Sequence, residues 1–119
     1  EGFLEIVDRI KDMIAVGVFK VFPSQIEEVL YRHPAVREAL VIGIPDVYRG
    51  ESPKAFVSLW PEKAEGVDGD LLKNWLNPQL GKHERVAMVE VRAALPKTLV
   101  GKLSRKELVA EERAKAGLA

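Results

Sequence analysis

The stretch Glu38–Pro45, "EALVIGIP", constrains this chain more than any other. After Glu38 it is continuously apolar, and charge and proline bound it. A strand with one wet face alternates apolar and polar residues; a strand with no alternation is buried on both faces. Such a strand needs a packed domain around it. The 119 residues suffice for one domain. A chain of that length buries roughly two-thirds of its unfolded surface, so neither a disulfide nor a metal is needed to hold it. Hydrophobic residues make up 47% and charged residues 30%, as in ordinary globular domains.

The same composition removes several functions. Lys plus Arg and Asp plus Glu both number 18, so the formal charge is zero. Nucleic-acid binding ordinarily rests on a basic surplus, and no such partner is expected. There is no cysteine, which excludes disulfides, thiolate zinc sites and thiol catalysis. The two histidines, His33 and His83, do not stand at ligand spacing, so no metal site is expected. No apolar run approaches the roughly 20 residues that span a bilayer, and "EGFLEIVDRI" carries acids within its apolar stretch, unlike a signal peptide. A cytoplasmic protein is expected. The start at Glu1 rather than methionine suggests a segment of something longer.

Helices and strands are placed by periodicity and punctuation. "FLEIVDRIKDMIAV" is β-branched and loosely alternating, and reads as short strands or a hairpin that "GVFKV" continues. Pro23 suits the first position of a helix, which presents Ile26, Val29 and Leu30 on one face and ends at His33-Pro34. "KAFVSLW" is a second strand after a turn in "DVYRGES", and "RVAMVEV" is a third. Between them Asp70 can cap a helix that turns Leu71, Leu72, Trp75 and Leu76 inward and breaks at Asn77-Pro78. The last helix starts near Arg105, where Ser104 and Glu107 have capping-box spacing, and ends in a charged tail expected to fray. There is no internal repeat. The expected architecture is α+β: a two-layer domain with a small sheet of about three main strands, packed helices and an N-terminal hairpin.

Most of the charged residues have plain explanations. Arg9 and Lys11 fit the wet face of a hairpin. Gly17 fits a bend or bulge, and Gly50-Glu51 a turn. Glu27-Glu28 fits the negative first turn of a helix. His33 fits a helix end, and His83 a polar loop with nothing nearby to orient it. One placement is odd: "LPKTLVGKLSRKEL" sets Lys102 beside Gly101 in a Pro-led loop just before a helix. It is not a phosphate-binding P-loop, because Pro96 occupies the first glycine position and Leu103 follows the lysine. Taken alone, a Gly-Lys pair in a loop is most simply a solvated turn.

Several ordered blocks change that reading. "VDRIKDMIAVGVFKVFPSQIEEVLYRHPAVREALVIGIPDVYRGESPKAFV", followed by "LPKTLVGKLSRKEL", resembles the C-terminal domain of the AMP-forming acyl-CoA synthetases, in the adenylate-forming superfamily. The resemblance runs from about Gly2 to about Glu111, and "HPAVREALVIGIPD" and "YRGESPKAFV" resemble the fatty-acyl branch.

The resemblance implies roles for particular residues. Lys102 matches the catalytic lysine of the Pro-x-x-x-x-Gly-Lys loop, which acts as a carboxylate attacks the α-phosphate of ATP. Arg9 matches an arginine on the ribose hydroxyls of the adenylate. Lys11 matches the hinge about which the domain turns, so residues 1–11 would be the end of a preceding domain and the hinge, and 12–119 the lid itself. Gly17, Val18, Phe19 and Lys20 match the loop lining the route of the CoA thiol. ATP with Mg and CoA are then substrates of a full-length enzyme, with no cofactor held by this segment alone. The partners are an N-terminal adenylation domain of the same chain and a fatty or other carboxylic acid. The segment by itself is expected to be inactive.

Two positions depart from the family pattern. Val18 stands where most relatives have a second glycine, and Val86 where many have proline. Two alternatives stay open: a non-catalytic interaction or regulatory module that kept the fold, and an adenylating enzyme that does not use CoA.

Overall fold

A computed structural model of the chain describes residues 14–17, 19–46, 48, 50–97, 99, 101 and 103–115. The described residues form five strands and three α-helices: β1 (Ile14–Val16), β2 (Phe19–Val21), α1 (Pro23–Leu30), β3 (Val36–Asp46), β4 (Gly50–Leu59), α2 (Gly69–Leu76), β5 (Met88–Val91) and α3 (Arg105–Lys115). The α+β class is as expected. The three main strands β3, β4 and β5 are joined by a short hairpin β1–β2 into a single sheet, while the strand reading of residues 3–13 lies outside the described residues.

β3 and β4 form a long antiparallel ladder from Val36↔Leu59 to Asp46↔Gly50. β5 runs parallel to β4 along Lys54–Val57, on the side away from β3. β1 joins β4 at its beginning, through Val16↔Gly50, and carries β2 at the outside.

The apolar run of β3 is explained by what covers each face. Ala39 and Val41, with Ala55 and Val57 of β4, meet Ile26 and Leu30 of α1 and Leu72 and Leu76 of α2. The alternate residues Leu40, Ile42 and Phe56 meet Leu108 of α3 and Leu95 on the other face. Helices therefore cover both faces, one layer more than the two expected. Period-2 alternation places successive residues of β3 in different cores, so both sets must be apolar.

Local signals held with adjustments. Pro23 opens α1 at its first turn, after Phe22 in extended conformation. The helix ends at Leu30, and Tyr31, Arg32 and His33 continue as turns through bonds to the carbonyls of Glu27, Val29 and Leu30. Asp68, not Asp70, caps α2: its Oδ1 accepts Leu71 N–H at 2.8 Å. Leu72 and Leu76 are buried there, while Leu71 faces solvent and Trp75 is half-buried. Asn77-Pro78 converts α2 into a 3-10 turn (Asn77–Gln79), and the Asn77 amide brackets Val86 through its N–H at 2.9 Å and its carbonyl at 3.1 Å. A proline at 86 has no N–H to give, so Val86 provides a bond that a proline there lacks. β4 begins at Gly50, inside the stretch expected to be a turn.

The outer edge of β3 is guarded. Glu27 Oε2 accepts Val41 N–H at 2.8 Å, and the Tyr31 hydroxyl accepts Ala39 N–H at 3.1 Å. Positions four apart on a helix rise about 6 Å, and positions two apart on a strand about 6.8 Å, so one helix face reaches alternate edge amides of β3. These bonds occupy donors that would otherwise template another strand.

Candidate functional site

The loop containing position 102 stands on a closed base. Ser104 N–H donates to the Pro96 carbonyl at 2.8 Å, and Lys97 and Leu103 form an isolated antiparallel bridge. Leu95 below it is buried, whereas Leu99 within it is fully exposed. Gly101 has φ +85°, a conformation open to glycine and costly for other residues. This is the physical use of the glycine beside Lys102. Lys102 itself lies outside the described residues, as do Arg9, Lys11 and Val18, so their expected roles rest on sequence alone.

Carboxylates hold the base. Lys97 Nζ lies 2.9 Å from Glu38 of β3, and Ser58 Oγ donates to the other Glu38 oxygen at 2.9 Å. The bond from Lys97 lowers the Glu38 pKa; burial works against it, and the Ser58 bond and the charges of Lys97 and Arg37 add to the lowering. On the following helix, Arg105 lies 2.7 Å from Glu27. Contrary to the expectation from sequence, Glu27 does not belong to a negative first turn; it is buried in the second turn and bonded to β3, because the first turn of α1 is Pro23 to Ile26.

The residues expected on the thiol route lie elsewhere. Val16 pairs with Phe19, and Gly17, just after β1, has φ +61°. Gly17 and Lys20 are exposed. Phe19 stacks on His83 with centroids 3.5 Å apart and planes at 15°. His83 thus has an orienting neighbour, which the sequence did not suggest because 64 positions separate the two rings in the numbering. His33 is structural: Nδ1 accepts Ala35 N–H at 3.1 Å and its ring meets Trp75 edge-on.

These two regions occupy opposite parts of the sheet. Glu38, which anchors the Lys97 base, pairs with Ser58 near one end of the β3–β4 ladder; Gly50, where β1 attaches, pairs with Asp46 at the other end. Eight residues of strand separate them, about 27 Å at the usual rise. β1 lies across β4 from β3, and its antiparallel direction carries Gly17 onward, away from the Ser58 end. The longest extent of the molecule is 38 Å. The structure keeps Gly17 and the Lys97–Leu103 base apart.

A further cluster lies under α3. Lys54, nearly buried, contacts Glu90 at 3.1 Å and Glu112 at 3.0 Å, and sits 4.8 Å from the centroid of the Phe56 ring. Arg92 pairs with Glu90 and Glu111, and approaches the same ring at 5.0 Å. Burial pushes the Glu90 carboxyl up, but hydrogen bonds from Arg92 and Lys54 outweigh it and the pKa falls. For Glu112, burial is likewise outweighed by Lys115 and Lys54. These groups neutralise one another and tie α3 to β4 and β5. Among the described residues, no group of three or more His, Cys, Asp or Glu side chains could hold a metal, and no helix is long and apolar enough to cross a membrane.

Comparison with known proteins decides the family. The AMP-binding enzyme C-terminal domain matches residues 25–102. The chain belongs to this family. This AMP-binding enzyme C-terminal domain is 43% identical over 112 residues to a long-chain-fatty-acid–CoA ligase of Bacillus subtilis (strain 168), covering 94% of this chain and 20% of that protein. It spans about a fifth of the length of the curated relatives it matches. Among solved structures it resembles ATP-bound MatB from Rhodopseudomonas palustris, with a TM-score of 0.77 and 30% identity over 85% of this chain and 20% of that one. It also resembles a Mycobacterium tuberculosis fatty acyl CoA synthetase, with a TM-score of 0.76 and 29% identity over 90% of this chain and 21% of that one.

Proposed function

We propose that this domain is the mobile C-terminal lid of a cytoplasmic, ATP-dependent, AMP-forming ligase that joins a fatty acid to CoA. The observation that carries this reading is the separation of the Lys97–Leu103 loop base from the Gly17 turn across the sheet. Two sets of groups so placed serve one reaction centre only in turn, when the domain reorients about a hinge. Lys11 is the proposed hinge, and the centre is built by an N-terminal adenylation domain of the same chain.

In the first step the substrate carboxylate attacks the α-phosphorus of Mg-bound ATP. An acyl-adenylate forms and pyrophosphate leaves. Negative charge grows on the phosphoryl oxygens, and the Lys102 ammonium is the group that meets it. A compact charge on a long stem suits this task. Arg9 holds the ribose hydroxyls. In the second step the CoA thiolate attacks the acyl carbonyl, the thioester forms and AMP leaves, with Gly17, Val18, Phe19 and Lys20 lining its approach. The domain alone catalyses neither step.

The test uses the full-length enzyme. Lys102→Ala should slow ATP–pyrophosphate exchange by about 10²–10³ and spare thioester formation from supplied acyl-adenylate. Equal losses in the two half-reactions would remove the role assigned to Lys102. Pyrophosphate exchange by the isolated domain would show that the reaction centre has been misplaced.

A further inference from the structure

Arg105 is the first residue of α3 and follows Lys102 by three positions. Its Nη2 lies 2.7 Å from each carboxylate oxygen of Glu27. The Glu27 residue is 9% exposed, and its Oε2 also accepts Val41 N–H at 2.8 Å. One carboxylate therefore joins α1, the outer edge of β3 and the point where the 97–103 loop enters α3. The other side of that loop is held by a second carboxylate, Glu38, through Lys97. The Pro96–Ser104 bond closes the chain between these two anchors.

Both contacts come from the one nitrogen Nη2, so the guanidinium meets the carboxylate at a single charged point set between its two oxygens. Arg105 thus ties the first residue of α3, directly after the loop, to a buried group of α1 and β3. The Glu27–Arg105 pair spans 78 positions of sequence and meets the chain beside the loop rather than elsewhere on α3.

We propose that the Glu27–Arg105 pair is a positioning device for the loop that presents Lys102, so that Arg105 serves acyl-adenylate formation and not thioester formation. The inference rests on the reading above, that Lys102 acts in adenylate formation. Arg105 touches no reacting atom; it acts through the loop.

The experiment compares Arg105→Met, Arg105→Lys, Lys102→Ala and the double variant Lys102→Ala/Arg105→Met in the full-length enzyme. Arg105→Met should lower kcat for ATP–pyrophosphate exchange by about ten- to a hundredfold, the cost of misplacing a reacting group by a fraction of its contact distance. The KM for the carboxylic acid and thioester formation from supplied acyl-adenylate should be unchanged. Arg105→Lys keeps a charge opposite Glu27 and so protects the fold should Arg105→Met fail to fold. Its shorter side chain reaches Glu27 less well, so this variant should show a smaller loss with the same selectivity. In the Lys102→Ala background, Arg105→Met should cause no further loss, since the group it positions is gone. Equal losses in both half-reactions, or losses that multiply with that of Lys102→Ala, would assign the pair to folding alone and overturn the inference. If Lys102→Ala spares adenylation, the reading of Lys102 fails first and the positioning role falls with it.

Discussion

Gly69, at the start of α2, lies against the carbonyl oxygen of Val89 so closely that a Cβ on it would stand 2.0 Å from that oxygen. The contact brings the helix down over the outer side of β5. It involves backbone on both partners, so no side-chain rotation relieves it.

Gly69→Ala is therefore expected to destabilise the domain, although alanine is the better helix former. The propensity gain is at most about 1 kcal/mol in a helix interior. Forcing α2 away from β5 costs about 1–3 kcal/mol, and the hard contact with backbone places this substitution toward the upper part of that range. Urea denaturation of the domain should give a lower midpoint with an unchanged slope. A higher midpoint would mean that α2 does not approach β5 in this way.

Acid should loosen the underside of α3 and the loop base together. Hydrogen bonds from Lys97 lower the pKa of Glu38, while for Glu90 and Glu112 burial is opposed and outweighed by hydrogen bonds from Arg92, Lys115 and Lys54. A carboxylate with a lowered folded pKa contributes stability that is complete above its unfolded value and lost as pH falls through the folded one. The loss should begin near the ordinary value of 4.5 and deepen below it. Denaturation midpoints measured from pH 7 to pH 3 should fall, and Glu90→Gln should flatten that fall. An equally steep decline in Glu90→Gln would place the acid sensitivity elsewhere.

Val18→Gly, in the full-length enzyme, should leave adenylation unchanged and preserve or speed thioester formation. Valine is β-branched and resists positive φ, and its side chain adds bulk in the loop assigned to the thiol route. The neighbouring Gly17 already takes φ +61°. Rapid-quench measurement of thioester formation from acyl-adenylate checks this; a slower step in the glycine variant would mean that Val18 suits an extended backbone.

The legible parts of this fold were those whose cause is local. The apolar run of β3, the Pro23 helix start and the helix start at Arg105 were each visible in a few consecutive residues. The Asn77-Pro78 break was visible too, though not that Asn77 would bracket Val86. Aspartates two positions apart compete as caps for α2, and the sequence favoured Asp70, whereas only Asp68 reaches Leu71 N–H. For the candidate site, the Gly101-Lys102 pair stood out as a motif. Glu27 did not, since a glutamate on a short helix looks like any exposed acid until β3 and Arg105 are placed against it.

The amino-acid order alone determined which segments become strands and helices, because periodicity, proline and capping residues act over a few positions. The pairing of Glu27 with Arg105, the stacking of Phe19 on His83, the side of the sheet on which α3 rests and the distance from Gly17 to the Lys97–Leu103 bridge were decided only when the chain closed. These contacts join residues that sequence leaves far apart, and their geometry exists only once both cores have been buried.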